Sequence, residues 1–173
     1  MTVQTIIRLL ADGALLPIVV LAGYALLFLI PKGHRFEAYA RILMAGLTAY
    51  VIAKLLGSVY QPANERPFEI LGVSAGASYL NNPGFPSDHA LFAAFLTLAV
   101  WFETRRKKIA LTLLALTLLV CVGRVLALVH TPLDILGGVV VACLGAIWYL
   151  QRDNVGFKST NSPKVPKKSK MAG

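Results

Sequence analysis

Long uncharged apolar blocks constrain this chain more than any other feature. The first runs from Gly13 to Pro31, 19 residues without a charged side chain, enough for a helix to cross a bilayer core of about 30 Å. With 57% hydrophobic and only 14% charged residues, the chain is far from the average soluble domain. We expect an all-α, polytopic membrane helix bundle with five spans, four and six being the alternatives. The other four predicted spans are Ile42–Tyr60, Ser87–Phe102, Ile109–Val129 and Leu133–Leu150.

The segment before the first block has a helical pattern of its own. Its apolar and polar residues lie on opposite faces of a helix, which indicates an amphipathic helix on the membrane surface. The apolar face holds Val3, Ile6, Ile7 and Leu10, and the polar face Thr5, Arg8 and Asp12. We therefore divide the chain into an interfacial segment (1–12), a transmembrane domain (13–152) and a tail (153–173). The tail is rich in Lys, Ser, Asn and Pro, a composition typical of disorder.

The basic residues predict the orientation in the membrane. Most of the 17 Lys and Arg residues, which give a net charge of +9, fall in three clusters: the first connection, the run 105–108 and the tail. The positive-inside rule makes these clusters cytoplasmic. The second connection (61–86) and the fourth, around His130, then lie on the outer face of the cell membrane. The clusters form no stripe with interleaved aromatic residues, so nucleic-acid binding is not expected. Cys121 and Cys143 lie within apolar blocks and predict neither a disulfide nor a metal site.

Several polar residues remain after the clusters are set aside, and they all map to the outer face. Lys54 and Arg124 lie within predicted spans, where a charge is costly and points to function, although either side chain alone can extend to the interface. The other members also have ordinary explanations, such as helix capping for Ser87 and for Thr131–Asp134. Taken together, the set favours a functional site. The remaining candidates are Arg66, Asp88, His89, His130 and Asp134.

The chemistry of this set suits phosphoryl transfer. Clustered cations neutralise a phosphate, and arginine holds its oxygens in pairs. A neutral imidazole can attack phosphorus while a carboxylate fixes its other nitrogen, and a second imidazole can protonate the leaving oxygen. The sequence contains no cluster with metal-ligand spacing, so we expect no metal and no cofactor. The expected substrate therefore carries a phosphate group.

The ordered set resembles the signature of the type 2 phosphatidic acid phosphatase family, whose soluble relatives include vanadium haloperoxidases. That signature is Lys and Arg-Pro, then Pro-Ser-Gly-His, then Ser-Arg followed by His and Asp. The likeness extends from about Lys54 to Gly138. It implies that His130 is the nucleophile, Asp134 its orienting partner and His89 the general acid. The residues that it implies for phosphate binding are Lys54, Arg66, Ser87, Asp88 (through its backbone N–H) and Arg124.

Three positions depart from the family pattern. Lys54 precedes Arg66 by 12 positions, whereas the family places its lysine where Val59 stands here. Asp88 replaces glycine, and Gly123 replaces the serine before the arginine, which removes one hydroxyl donor. None of these departures affects the two histidines or the orienting carboxylate.

Two short sequence segments narrow the choice of substrate within the family. Arg66-Pro67-Phe68 and the run 85–90 resemble bacterial undecaprenyl-diphosphate phosphatases, which implies hydrolysis of a polyprenyl diphosphate to the monophosphate on the outer face. Phosphatidic acid and phosphatidylglycerol phosphate are alternative substrates for the same residues. A lipid phosphotransferase and a non-catalytic lipid-phosphate binding protein are the rival classes. A haloperoxidase is disfavoured because the site lies among membrane spans.

Overall fold

The computed structural model describes residues 2–61, 65–80 and 84–150, and all regular structure within these ranges is helical. The predicted tail, 153–173, lies outside them. A π-helical turn (Leu9–Gly13) joins the first two helices, and a 3₁₀ turn (Lys32–His34) precedes the third. The α-helices are α1 (Val3–Arg8), α2 (Leu15–Phe28), α3 (Arg35–Val59), α4 (Pro67–Ile70), α5 (Asp88–Glu103), α6 (Lys107–Leu126), α7 (Pro132–Gly145) and α8 (Ile147–Leu150).

Four helical stretches of the described chain are long and apolar enough to cross a membrane. They are Val3–Phe28, Lys32–Val59, Lys107–Leu126 and Pro132–Leu150. The third predicted span is also a helix, α5, but its 16 residues extend over only about 24 Å. α5 occupies the centre of the bundle, packed against α2, α6 and α7. The all-helical bundle predicted from the sequence is therefore confirmed, with a central helix shorter than a full span.

The amino-terminal segment, predicted as an amphipathic helix on the membrane surface, is continuous with the first predicted span. α1, the π-helical turn and α2 form one helical stretch from Val3 to Phe28. The π-helical turn packs against α6, and Ala11 within it is fully buried. Asp12, expected on the polar face, instead turns toward Arg124. The amphipathic pattern did not reveal this because it describes one helix and not what packs against it.

The second span begins earlier than predicted. α3 starts at Arg35, and a charged side chain in its second turn is paired with a carboxylate of another helix. Arg41 donates two hydrogen bonds to the buried carboxylate of Glu103, at 2.7 and 2.8 Å. This bidentate pair fastens α3 to the carboxyl end of α5.

Glycines bring the helices close together. A Cβ at Gly138 would lie 2.5 Å from the Ser87 carbonyl oxygen, and one at Gly145 would lie 2.5 Å from the Ala45 carbonyl oxygen. α7 therefore contacts the start of α5 and the middle of α3 backbone to backbone, as small residues allow in membrane bundles. The helix directions then place the starts of α2, α5 and α7 and the ends of α3 and α6 at one end of the bundle. The basic clusters 32–41 and 105–108 lie at the opposite end.

Candidate active site

The second and fourth connections meet at one end of the bundle. The backbone N–H of Phe68 donates to the Leu128 carbonyl at 3.0 Å, and that of Gly76 donates to the Ala127 carbonyl at 3.0 Å. Phe68, Ala77, Ala127 and Val129 form a small apolar core beneath these bonds. The loop that carries Arg66 is thus fixed against the turn that follows α6.

That turn brings His130 to the site. Leu128 adopts a left-handed conformation with φ of 59°, which costs a non-glycine residue roughly 1–2 kcal/mol. The Val129 N–H reaches back to the Arg124 carbonyl at 3.4 Å, so α6 stops abruptly and the chain reverses. Such strain is typical of functional sites, and here it sets His130 between the end of α6 and the start of α7.

His130 and Asp134 face each other one helical turn apart. Nδ1 of His130 lies 3.6 Å from Oδ2 of Asp134, close enough for the carboxylate to stabilise a protonated imidazole but longer than a hydrogen bond. The same Oδ2 accepts the Thr131 N–H at 2.7 Å, and the Asp134 N–H donates to the Thr131 hydroxyl at 3.2 Å. This capping box, predicted from the sequence, fixes the carboxylate beside the imidazole.

Burial lowers the pKa of His130 below its ordinary value, and nearby Arg124 and Arg66 add to that effect, whereas Asp134 opposes it. The imidazole is buried and Asp134 faces its Nδ1, so Nε2 is the nitrogen left to act on a ligand. His130 is therefore neutral at pH 7, the form that a nucleophile needs.

Gly84 lies where three of these groups converge. A Cβ at this position would be 3.4 Å from Oδ2 of Asp134 and 3.7 Å from both Nδ1 of His130 and Nη1 of Arg66. The sequence analysis did not single out Gly84. The only signal was a glycine three residues before Ser87, and that alone predicts nothing more than a turn.

Arg66 is held by backbone carbonyls. Its guanidinium donates to the Val129 carbonyl at 2.5 Å and to the Leu80 carbonyl at 3.0 Å, and it lies over the ring of Tyr79. Burial lowers the pKa of Arg66, while neighbouring carboxylates, Asp134 first, raise it. The side chain is almost completely buried, so its direction is fixed before any ligand arrives.

The start of α5 contributes His89, Ser87 and Asp88. Ser87 is fully buried, its N–H donates to the Asp134 carbonyl at 2.9 Å, and its hydroxyl accepts the Ala90 N–H at 3.5 Å. Ser87 therefore caps α5, as the ordinary interpretation of the sequence held, and ties α5 to α7.

One small cavity collects most of the predicted site. It has a volume of about 50 Å³, room for a few water molecules or one phosphate group. Its lining residues are Arg66, Leu80, Gly84, Pro86, Asp88, His89, Arg124 and His130. Five of the eight predicted residues therefore line this active-site cavity. Two more lie next to lining residues: Asp134 faces His130, and Ser87 precedes Asp88 at the start of α5.

Lys54 lies beside this cavity, not on its wall. Its Nζ is 3.4 Å from Oδ1 of Asp88, and both side chains are about half exposed. Lys54 and Asp88 line a second cavity of about 220 Å³ together with Gln61 and Phe85. The two cavities share Pro86 and Asp88. Two departures from the family pattern, Lys54 and Asp88, thus form a pair.

Arg124 has a partner that the sequence analysis missed. Its Nη1 donates to Oδ1 of Asp12 at 2.9 Å and to the Ser78 carbonyl at 2.7 Å. Asp12 is 112 residues away in sequence, and its spacing fitted the polar face of an amphipathic helix. The available signal was physical: an arginine predicted inside a span is often paired, and a carboxylate at the same membrane depth is a natural partner.

Among the residues that the structure describes, no group of three or more His, Cys, Asp or Glu side chains has a metal-binding arrangement. The two cysteines are unpaired, Cys121 buried and Cys143 exposed.

Comparison with known proteins gives one match. A family model described as the PAP2 superfamily matches residues 38–155, a range that contains every predicted site residue and leaves Asp12 outside. No curated protein and no solved structure matches the chain.

Proposed function

This chain belongs to the PAP2 superfamily, and from that premise we propose that it is an integral membrane phosphatase that hydrolyses lipid phosphates through a phosphohistidine at His130. The observation that carries the proposal is the convergence of two histidines and two arginines on one small cavity, with a carboxylate behind His130. The four apolar helices fit a membrane protein, which supports a lipid as the carrier of the phosphate.

In the first step, Nε2 of His130 attacks phosphorus. A P–N bond forms as the bond from phosphorus to the leaving oxygen breaks, and that oxygen takes the electron pair and a proton from His89. Asp134 stabilises the imidazolium through Nδ1, while Arg66 and Arg124 neutralise charge on the phosphoryl oxygens.

In the second step, water attacks the phosphohistidine. His89 accepts the proton of that water, the P–N bond breaks, and its electron pair returns to Nε2 of His130. Orthophosphate leaves, and both histidines regain their starting states. Neither step, as proposed, uses a metal.

A direct experiment tests this mechanism. Purified protein in detergent with EDTA receives a panel of lipid phosphates, and phosphate release is followed while the phosphoenzyme is trapped by rapid quenching in base. We expect turnover in EDTA and a phosphorylated peptide that contains His130. Activity that disappears in EDTA and returns with magnesium would refute the mechanism. Transfer of the phosphoryl group to an added lipid or sugar, with no release to water, would favour a phosphotransferase.

Within this class, we propose a polyprenyl diphosphate as the substrate. The cavity lined by Lys54 adjoins the active-site cavity, with which it shares Pro86 and Asp88, and in our proposal it receives the leaving phosphate. A leaving phosphate placed there accepts a hydrogen bond from Lys54, whose three N–H donors can serve Asp88 as well. Phosphatidic acid has no second phosphate. Phosphatidylglycerol phosphate has one, but it is not attached directly to the leaving oxygen as it is in a diphosphate.

We further propose that the site faces the outside of the cell membrane and that the carboxyl terminus is cytoplasmic, because the basic clusters lie at the end of the bundle opposite the site. In a variant whose Cys121 and Cys143 are replaced by alanine, Ser74→Cys should react with a membrane-impermeant thiol reagent added to intact cells. Lys164→Cys should react only after lysis. The reverse pattern would overturn the orientation.

A further inference from the structure

Arg124 is a buried charge whose position depends on the amino-terminal segment. The residue is 1% exposed, and its Nη1 donates to both Asp12 and the Ser78 carbonyl. The other oxygen of Asp12, Oδ2, accepts the Ser78 N–H at 2.9 Å. One carboxylate therefore fixes the guanidinium and the loop segment beside it in a single arrangement.

The guanidinium still has hydrogen-bonding capacity for a ligand. Arg124 lines the active-site cavity, and its buried Nε has no hydrogen-bond partner among the described residues. Buried donors are nearly always satisfied in native proteins. A phosphate oxygen in the cavity would satisfy such a donor, provided that the plane of the guanidinium is held as it is here.

Gly123 permits the approach that brings Asp12 to Arg124. A Cβ at Gly123 would lie 2.6 Å from the Ala11 nitrogen and 2.7 Å from the Leu10 carbonyl carbon. These are backbone atoms of the π-helical turn, which cannot rotate aside as a side chain can. Only glycine allows the turn to lie this close to α6. The departure from the family's serine and the presence of Asp12 at the site are therefore one structural feature.

We propose that Asp12 is a positioning residue for phosphate binding: through the close contact at Gly123, the π-helical turn orients Arg124 toward the phosphate. Asp12 lies outside the matched range 38–155, so the family signature does not include it. The inference rests on the proposed function for its link to catalysis, but the orientation of Arg124 also controls simple binding of phosphate.

Phosphate binding tests the inference without turnover. Inorganic phosphate should raise the Tm of the wild-type protein in detergent, as any ligand of the folded state does, and Asp12→Asn should reduce this rise several-fold. Arg8→Gln, a charge change at an exposed position of the same segment, is the matched control and should leave the rise unchanged. An unchanged or larger rise in Asp12→Asn would overturn the proposal.

A double-mutant cycle then separates positioning from a general structural role. In kcat/KM with an aryl phosphate, Asp12→Ala should cost about 10–100-fold in the wild-type background, the range expected for a misplaced binding group. In an Arg124→Ala background it should cost less than about 2-fold, because residues that act through one another are not additive. Equal losses in both backgrounds would refute the proposal. If phosphate binding depends on Asp12 but the wild-type protein releases no phosphate from any lipid, the proposed function alone would be refuted.

Discussion

Restoring the family's serine at position 123 should damage this protein. The Cβ of Gly123→Ser would lie 2.6 Å from the Ala11 nitrogen, about 0.8 Å inside the 3.4 Å at which ordinary contact begins. Overpacking of this kind costs about 1–3 kcal/mol. If the π-helical turn retreats by the same amount, the contact between Arg124 and Asp12 lengthens from 2.9 Å to roughly 3.7 Å, beyond hydrogen-bonding range.

The two consequences have separate measurements. The lost packing and the lost charged hydrogen bond, worth about 1.5–3 kcal/mol, should lower the Tm in detergent. The displaced guanidinium should lower kcat/KM about 10²-fold, the usual cost of a misplacement near 1 Å. Gly23→Ser is the matched control, because a Cβ at Gly23 meets nothing within 4 Å. A Gly123→Ser variant with the Tm and kcat/KM of the wild type would refute the close-contact argument.

Three further predictions concern the site itself. His130→Ala should abolish the phosphoenzyme with every substrate. His89→Ala should keep turnover of an aryl phosphate, but its turnover of a lipid alkyl phosphate should fall about 10²–10⁴-fold. Equal loss of turnover on both substrates would show that the roles are misassigned. Lys54→Met should lower kcat/KM for a polyprenyl diphosphate more than for the monophosphate with the same tail. Equal losses would show that Lys54 contacts the transferred phosphate, and no loss would show that it is only a surface cation. Burial lowers the pKa of His130, and only a neutral imidazole reacts in carbethoxylation. Mass spectrometry of the His130 peptide should therefore show half-maximal carbethoxylation at a pH below 6.5, the ordinary pKa of histidine. A midpoint at or above that value would contradict the burial argument.

The sequence was sufficient to predict the helices and the face that carries the site. Apolar blocks must become helices in a membrane because every backbone polar group needs an internal partner. The turn signals at Ser87 and Thr131 predicted the starts of α5 and α7, since a hydroxyl cap and a proline have local effects. The pairing of Arg41 with Glu103 near the start of α3 was not predicted, because it is a contact between distant parts of the chain.

Residues that act through a distant partner could not be predicted in the same way. Lys54 was grouped with the phosphate ligands because of its type and order, but whether it joins the active-site cavity depends on where Asp88 draws its ammonium group. Gly123 was interpreted as the loss of a hydroxyl, whereas the structure shows a backbone contact that any side chain would block. A hydrophobic pattern records which face of a helix is buried and contains no information about how closely two backbones approach.

The sign of the effect at Asp12 distinguishes two accounts of how this site binds phosphate. Each of the three cations predicted to bind phosphate already faces a carboxylate: Arg124 pairs with Asp12 and Lys54 with Asp88, and the charge of Asp134 acts on Arg66. If net charge governed affinity, removal of the Asp12 carboxylate would leave the cavity more positive and a phosphate dianion would bind more tightly. If the direction of the donors governs it, the same change releases Arg124 and binding weakens, since a preorganised donor is worth more than a mobile one in a site shielded from water. The fixed pairs, the burial of Arg124 and the close contact at Gly123 all favour direction, so Asp12→Asn should weaken phosphate binding although it removes a negative charge.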